Sequence, residues 1–280
     1  MRFEDYLRIG LIDLEGVMGQ RLVLVLALAT LSGCAPDGAQ TALTRAARTE
    51  RLIAVAPSVD QRLMAAAAAA RPAIVEIRAR SRPIATAGGV SRTASETGGA
   101  GVVIRADGLV LTNEHVVRDA EDVWVGLADG SRVHAQRVLC ARHLDLALLL
   151  IDRRDLAALQ LVRGSARAGD PVVALSPRVG SALSQQTRVG RITRADVSLQ
   201  DQIDPARHRH YDGLLESDTP LVPGFSGGPL LDVDGNLLGV NVAVAGQPDS
   251  PNVRGYTIPC DRRTLAEIAA LVDTLPPNME

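Results

Sequence analysis

Aromatic side chains are scarce in this 280-residue chain: two Phe, one Trp and three Tyr, 2% of the total. A core without rings has to be built from Val, Leu, Ile and Ala, which suits many short β-branched strands better than a ligand cage of stacked rings. An excess of one charge is also missing, and a formal net charge of −2 gives no ground for a nucleic-acid partner. Cysteine is limited to Cys34, Cys140 and Cys260, none in a metal-like spacing, so neither a metal nor another cofactor is expected. The apolar stretch at 22–31 is too short for an ordinary transmembrane helix but has the length of a signal-peptide core.

What is present is chemistry. The run Gly224-Phe225-Ser226-Gly227-Gly228-Pro229-Leu230 presents a nucleophile, and Thr112-Asn113-Glu114-His115-Val116-Val117 presents a base. Between them, Asp145 enters an apolar run, Leu146-Ala147-Leu148, as a lone carboxylate of the kind that orients a catalytic imidazole. The order is His, Asp, Ser, the order of trypsin-like enzymes and of neither subtilisins nor α/β-hydrolases. The pattern around Ser226 also fits the G-x-S-x-G elbow of esterases. All five histidines, at 115, 134, 143, 208 and 210, precede Ser226, however, so none is left to complete that triad. Leu230, Leu231 and the Asp234-Gly235 pair then read as strand and hairpin turn, where an elbow would open a helix.

Five motifs carry a family resemblance: the run from Gly99 to Ile104, the run from Leu111 to Val117, the run from Asp145 to Leu149, the run from Gly224 to Leu230, and the run from Gly255 to Pro259. Together, over about residues 72–275, they resemble the protease domain of the HtrA/Deg family, trypsin-like serine endopeptidases of bacterial envelopes and organelles. The resemblance implies an all-β fold of two six-stranded antiparallel β-barrels of the trypsin-like (chymotrypsin) type, with the active site in the cleft between them. Asp-Gly pairs at 107–108, 129–130 and 234–235, each between apolar runs, independently read as hairpin turns of an all-β chain.

The segments are expected to be a signal peptide at 1–33, a tether at 34–57, a short N-terminal helix at 58–71, a first barrel at 72–160, a second at 161–260 and a C-terminal helix at 261–275. Residues 1–17 are unusually acidic for a signal peptide, which points to Met18 as the true start. Leu31-Ser32-Gly33-Cys34 resembles the lipobox of bacterial lipoproteins, in which Cys34 is lipidated and anchors the mature chain to a membrane. That leaves Cys140 and Cys260, either bridged or free. Ser58 and Gln61 form a capping-box pattern, and Asp261 opens a helix whose Leu265, Ile268, Ala269 and Val272 share a face. Residues 87–100 and 194–209 read as mobile loops. Most HtrA-like proteins carry PDZ domains after the last helix, and the few residues beyond it here predict no peptide gating of that kind. The segment 34–71 lacks the aromatics of family trimers, leaving the oligomeric state open.

Carried onto matching positions, the resemblance makes His115 the base, Asp145 its orienting acid and Ser226 the nucleophile, with the backbone N–H groups of Gly224 and Ser226 as the oxyanion hole. Phe225 departs from the family's usual Asn and from the Asp of digestive relatives. Its loop is expected to be held either by packing of the ring or by substrate. Glu114 beside the base reads as a solvated loop carboxylate. Leu221 falls on the wall of the primary pocket, which has no acid to select Lys or Arg, so small or medium aliphatic residues should precede the cut. Val240, Asn241 and Val242 are expected to offer an edge strand to an extended, unfolded polypeptide. The function implied is envelope quality-control proteolysis. A latent or inactive peptide-holding, chaperone-like module is the alternative, and a lipoprotein esterase a third.

Overall fold

The computed structural model describes residues 57–275, apart from 82–83, 87–88, 93–94, 162–165, 178–185, 201–209 and 246–251. The expected signal peptide, the lipobox Cys34, the tether up to residue 56, and His208 lie outside the described residues.

Ser58 caps helix α1 (Val59–Ala70) through the reciprocal bonds of a capping box with Gln61. A 3₁₀ turn with Pro72 ends the helix and delivers the chain into β1 (Ile74–Ser81). β2 (Ile84–Thr86) and β3 (Gly89–Arg92) form a separate two-stranded ribbon. The first barrel continues with β4 (Glu96–Arg105), β5 (Leu109–Asn113), the single turn α2 (Glu114–Val117), β6 (Ala120–Gly126), β7 (Arg132–Ala141) and β8 (Leu146–Ile151), and closes in the order β1-β4-β5-β8-β7-β6. The second comprises β9 (Pro171–Leu175), β10 (Thr187–Gln200), β11 (His210–Ser217), β12 (Pro229–Leu231), β13 (Leu237–Ala245) and β14 (Arg254–Pro259), closed as β10-β11-β14-β13-β12-β9. Helix α3 (Arg262–Asp273), capped by Asp261, follows. This is the trypsin-like double barrel, all-β with a helix at either end. Gly108, Gly130 and Gly235, the second residues of the three Asp-Gly pairs, take the positive φ that their hairpin turns require.

β8 explains how the barrels meet. Its six residues are all buried, and the two-residue period of a strand divides five of them between two cores. Ala147, Leu149 and Ile151 face the interior of the first barrel with Val75, Ile77 and Val110. Leu146 and Leu148 face the opposite way, into a core shared with Tyr211, Leu214, Val240, Val242 and Ile258 of the second barrel. A strand wetted on one face would have needed polar residues at alternate positions. The run LALLLI is therefore the sequence signature of a strand pressed between two barrels. The alanines of α1 serve close approach: Ala67 and Ala70 are buried with Leu63 against Val173, Leu175 and Leu237.

Two segments expected as loops are partly strand. β4 begins at Glu96, where Arg78 and Arg80 of β1 pair with Gly98 and Glu96. β10 runs on to Gln200 because three register shifts against β11 absorb its polar stretch, and Asp196 takes a left-handed φ of 59° there. Cys140 and Cys260 are not bridged: Cys140 is exposed on β7, and Cys260 is buried under α1, where burial pushes its thiol up to about 12. Among the described residues, no helix is long and apolar enough to cross a membrane, and no group of His, Cys, Asp and Glu is arranged to hold a metal.

Candidate active site

The expected base and acid, His115 and Asp145, come from the first barrel. β5 ends at Asn113, and α2 turns His115 back over the end of β8, where Asp145 occupies the tight turn between β7 and β8. Asp145 adopts φ 57°, a left-handed conformation that Asp tolerates better than most residues. Its backbone is pinned there, since the Asp145 carbonyl accepts from the Glu114 N–H at 3.0 Å and from the Asn113 amide at 3.1 Å. The carboxylate has no solvent exposure and three donors. His115 N–H lies 2.8 Å from Oδ1, His115 Nδ1 lies 2.7 Å from Oδ2, and the Tyr211 hydroxyl donates to Oδ2 at 3.0 Å. With Nδ1 engaged by the carboxylate, Nε2 is the nitrogen left to act as acceptor.

The expected nucleophile, Ser226, comes from the second barrel on a loop between β11 and β12. Gly224 takes φ 99° and Gly227 φ 85°. At Gly227 the reason is also steric, because a Cβ would lie 2.1 Å from the Ala100 carbonyl oxygen. The Ser226 carbonyl accepts the Ala100 N–H at 2.8 Å, so β4 of the first barrel grips the nucleophile's own backbone. Asn241 braces the loop from behind. Its N–H donates to the Gly228 carbonyl and its carbonyl accepts from Gly227, while its side chain donates to the Pro229 carbonyl and accepts from the Thr257 hydroxyl. The Phe225 N–H is taken by the Val222 carbonyl at 3.2 Å, whereas the N–H groups of Gly224 and Ser226 donate to no group among the described residues. The Ser226 hydroxyl points to the Val242 carbonyl at 3.5 Å and makes no hydrogen bond to His115.

Phe225 resolves the open question about its loop. The ring is 1% exposed, packed with Val172, Ile192, Leu215, Leu221, Leu230 and Leu238 in the core of the second barrel. Apolar burial replaces whatever a polar residue at this position would bond. Glu114 corrects an expectation: it is 2% exposed rather than solvated, and Arg118 one turn on grips its carboxylate in a forked pair at 2.6 to 3.1 Å. The i,i+4 spacing was the signal available in the sequence.

The expected substrate residues also need correction. Leu221 is 3% exposed and packs against Gly255 within the Phe225 core, so its side chain is not free to line a pocket. Val240 is not on an edge, because it pairs with Pro229 on one side and Ile258 on the other. Asn241 spends both backbone groups on the nucleophile loop. Val242 falls at a register shift, past the last residue of β13 that pairs with β12, but it is 0% exposed and its side chain packs in the core shared by the barrels. Past Val240 the strand β13 has β14 as its one strand partner among the described residues.

A sequence profile for the trypsin-like peptidase domain matches residues 99–240, from the strand that grips Ser226 to the one that braces it. The chain belongs to the trypsin-like peptidase family. Within it, this peptidase domain is 33% identical over 164 residues to a "Probable periplasmic serine endoprotease DegP-like" of Pseudomonas fluorescens, covering 58% of this chain and 33% of the relative. It is 32% identical over 170 residues to a "Probable serine protease do-like" of Buchnera aphidicola, covering 58% and 33%. The chain thus spans about a third of the length of the curated relatives it matches. Among solved structures, the HtrA-type protease AlgW with a tripeptide superposes with a TM-score of 0.61 at 27% identity, covering 78% of this chain and 64% of that one. A protease from M. tuberculosis in its active form gives 0.61 at 25%, covering 76% and 86%.

Proposed function

We propose that the chain is a serine endopeptidase of HtrA type that cuts unfolded or extended polypeptides through a Ser226, His115, Asp145 triad. The observation that carries this reading is the pairing of His115 with a fully buried Asp145, facing a loop whose Gly224 and Ser226 amides donate to no group among the described residues. His115 Nε2 takes the Ser226 hydroxyl proton as Oγ attacks the scissile carbonyl. The two free amides receive the oxyanion, and a single donor of that kind is worth about a hundredfold or more in turnover. His115 then passes the proton to the leaving amine, and water hydrolyses the acyl-enzyme by the same route reversed. An extended peptide pairs with β13 past Val240, where β14 is its one strand partner among the described residues, with a small or medium aliphatic residue ahead of the cut. The names of the periplasmic relatives and the peptide held by AlgW support an envelope location and a peptide substrate. Cys34, through its lipobox, would supply the membrane anchor.

A second reading, a latent or inactive peptide-holding module, is favoured by one observation: the Ser226 hydroxyl is turned to Val242 rather than to His115. Catalytic hydrogen bonds are often long in substrate-free enzymes, so this geometry is compatible with activity. Labelling of the purified protein with a fluorophosphonate, beside Ser226→Ala and His115→Ala, separates the two. Labelling abolished in both variants is expected for the endopeptidase. A folded wild type that never labels would establish the latent module.

A further inference from the structure

We infer that Tyr211 is a positioning residue of the triad, a hydroxyl lent by the second barrel to hold and tune the acid of the first. The inference rests on the peptidase reading and extends it to a residue that none of the catalytic motifs contains.

Tyr211 stands near the start of β11, and Asp145 lies at the head of β8. The tyrosine is 5% exposed, its ring sits in the core shared by the barrels, and its hydroxyl donates to Asp145 Oδ2 at 3.0 Å. That oxygen is also the one facing His115 Nδ1 at 2.7 Å. The phenol and the imidazole therefore compete for one oxygen of a carboxylate that has no access to water. Two consequences follow from elementary electrostatics. The phenol draws electron density from Oδ2, so Asp145 stabilises a protonated His115 less than it would alone. It also helps fix the carboxylate plane, since Oδ1 is tied to the His115 N–H while Oδ2 takes the Tyr211 hydroxyl from the other barrel. In a chain with three tyrosines, two Phe and one Trp, one phenol buried with its hydroxyl on the triad acid is a specific placement.

The test compares wild type with Tyr211→Phe, which keeps the ring, and with 3-fluorotyrosine at position 211, which keeps ring and hydroxyl but makes the donor stronger. The rate of fluorophosphonate labelling is measured from pH 5 upward, with thermal stability recorded alongside. In Tyr211→Phe the acid limb of the profile should move up, by a part of the roughly 1 to 2 pH units that one hydrogen bond to a charged group is worth, because the bond acts on His115 through Asp145. The plateau should fall by about tenfold, well short of the roughly 10⁴-fold that losing the acid's function costs in the trypsin-like template. The fluorinated protein should move the limb the opposite way, which keeps the test decisive if Tyr211→Phe folds poorly. An acid limb that stays in place in both proteins overturns the inference, whatever happens to stability, because packing alone does not move it. If wild type never labels, the peptidase reading fails, but Tyr211 is still tested by the low-field NMR resonance of the His115 Nδ1 proton. Tyr211→Phe should shift that resonance further downfield, and an unchanged resonance would reject the role.

Discussion

His115 and Asp145 in the first barrel are fixed by hydrogen bonds of 2.7 and 2.8 Å, whereas Ser226 in the second rides on a loop anchored by a buried phenyl ring. The first arrangement is directional: one atom misplaced, and the imidazole loses its tautomer. The second is volumetric: what holds Phe225 is the fit of its ring among Val172, Ile192, Leu215 and Leu230. Hydrogen bonds to a buried charge tolerate little change of chemistry but some change of shape, and a packed ring does the reverse. The two halves of one site should therefore fail differently.

The largest effect is expected on the directional side. Asp145→Asn keeps size and shape but offers His115 Nδ1 the wrong partner, and labelling of Ser226 should fall by about 10⁴-fold. A fall of less than tenfold would mean that packing, not the carboxylate, orients His115. On the volumetric side, Phe225→Ala should cost about 3 to 5 kcal/mol in denaturant unfolding, the usual toll of emptying a buried ring site. Labelling per folded molecule should drop as well, because the Gly224 and Ser226 amides lose their anchor. Labelling at the wild-type rate in the folded fraction would show that Asn241 and Ala100 hold the loop without the ring.

The smallest effect is a control in the second barrel away from the loop. The Arg194 guanidinium hydrogen-bonded to Glu216 holds its carboxyl below the usual 4.5, against the opposing pull of burial, with Thr193 and Arg254 adding to the lowering. A depressed acid stabilises the fold above its unfolded value, and that contribution is lost as pH falls through the folded one. Wild type should therefore lose stability below about pH 4.5 more steeply than Glu216→Gln, read as melting temperature from pH 7 to pH 3. Arg194 is largely exposed, so solvent screening keeps the difference small. Labelling at neutral pH should match wild type, and a large loss there would mean that the second barrel transmits charge changes to Ser226.

The parts of this site legible in sequence are those that a local motif encodes. His115, Asp145 and Ser226 each sit in a short run whose neighbours build the turn that presents them, and the Asp-Gly pairs and the Ser58 cap act within four residues. What stayed hidden depends on pairing at a distance. Tyr211 reaches Asp145 across 66 residues and from another barrel, and no spacing rule marks such a contact. The burial of Glu114 and the inward packing of Leu221 depend on which side of a turn faces the core. The point at which β13 loses its β12 neighbour is set by where β12 begins, at Pro229 opposite Val240, and so by a strand that pairs with it rather than by its own residues. Phe225 is intermediate: the sequence raised the question of its loop, and only the surrounding apolar core answers it.

The bond from the Ala100 amide to the Ser226 carbonyl makes the nucleophile part of the seam between the barrels. On the proposed reading, parting the barrels at that seam would carry Ser226 away from Ala100 and out of line with His115, so separation of the barrels and loss of labelling should come together.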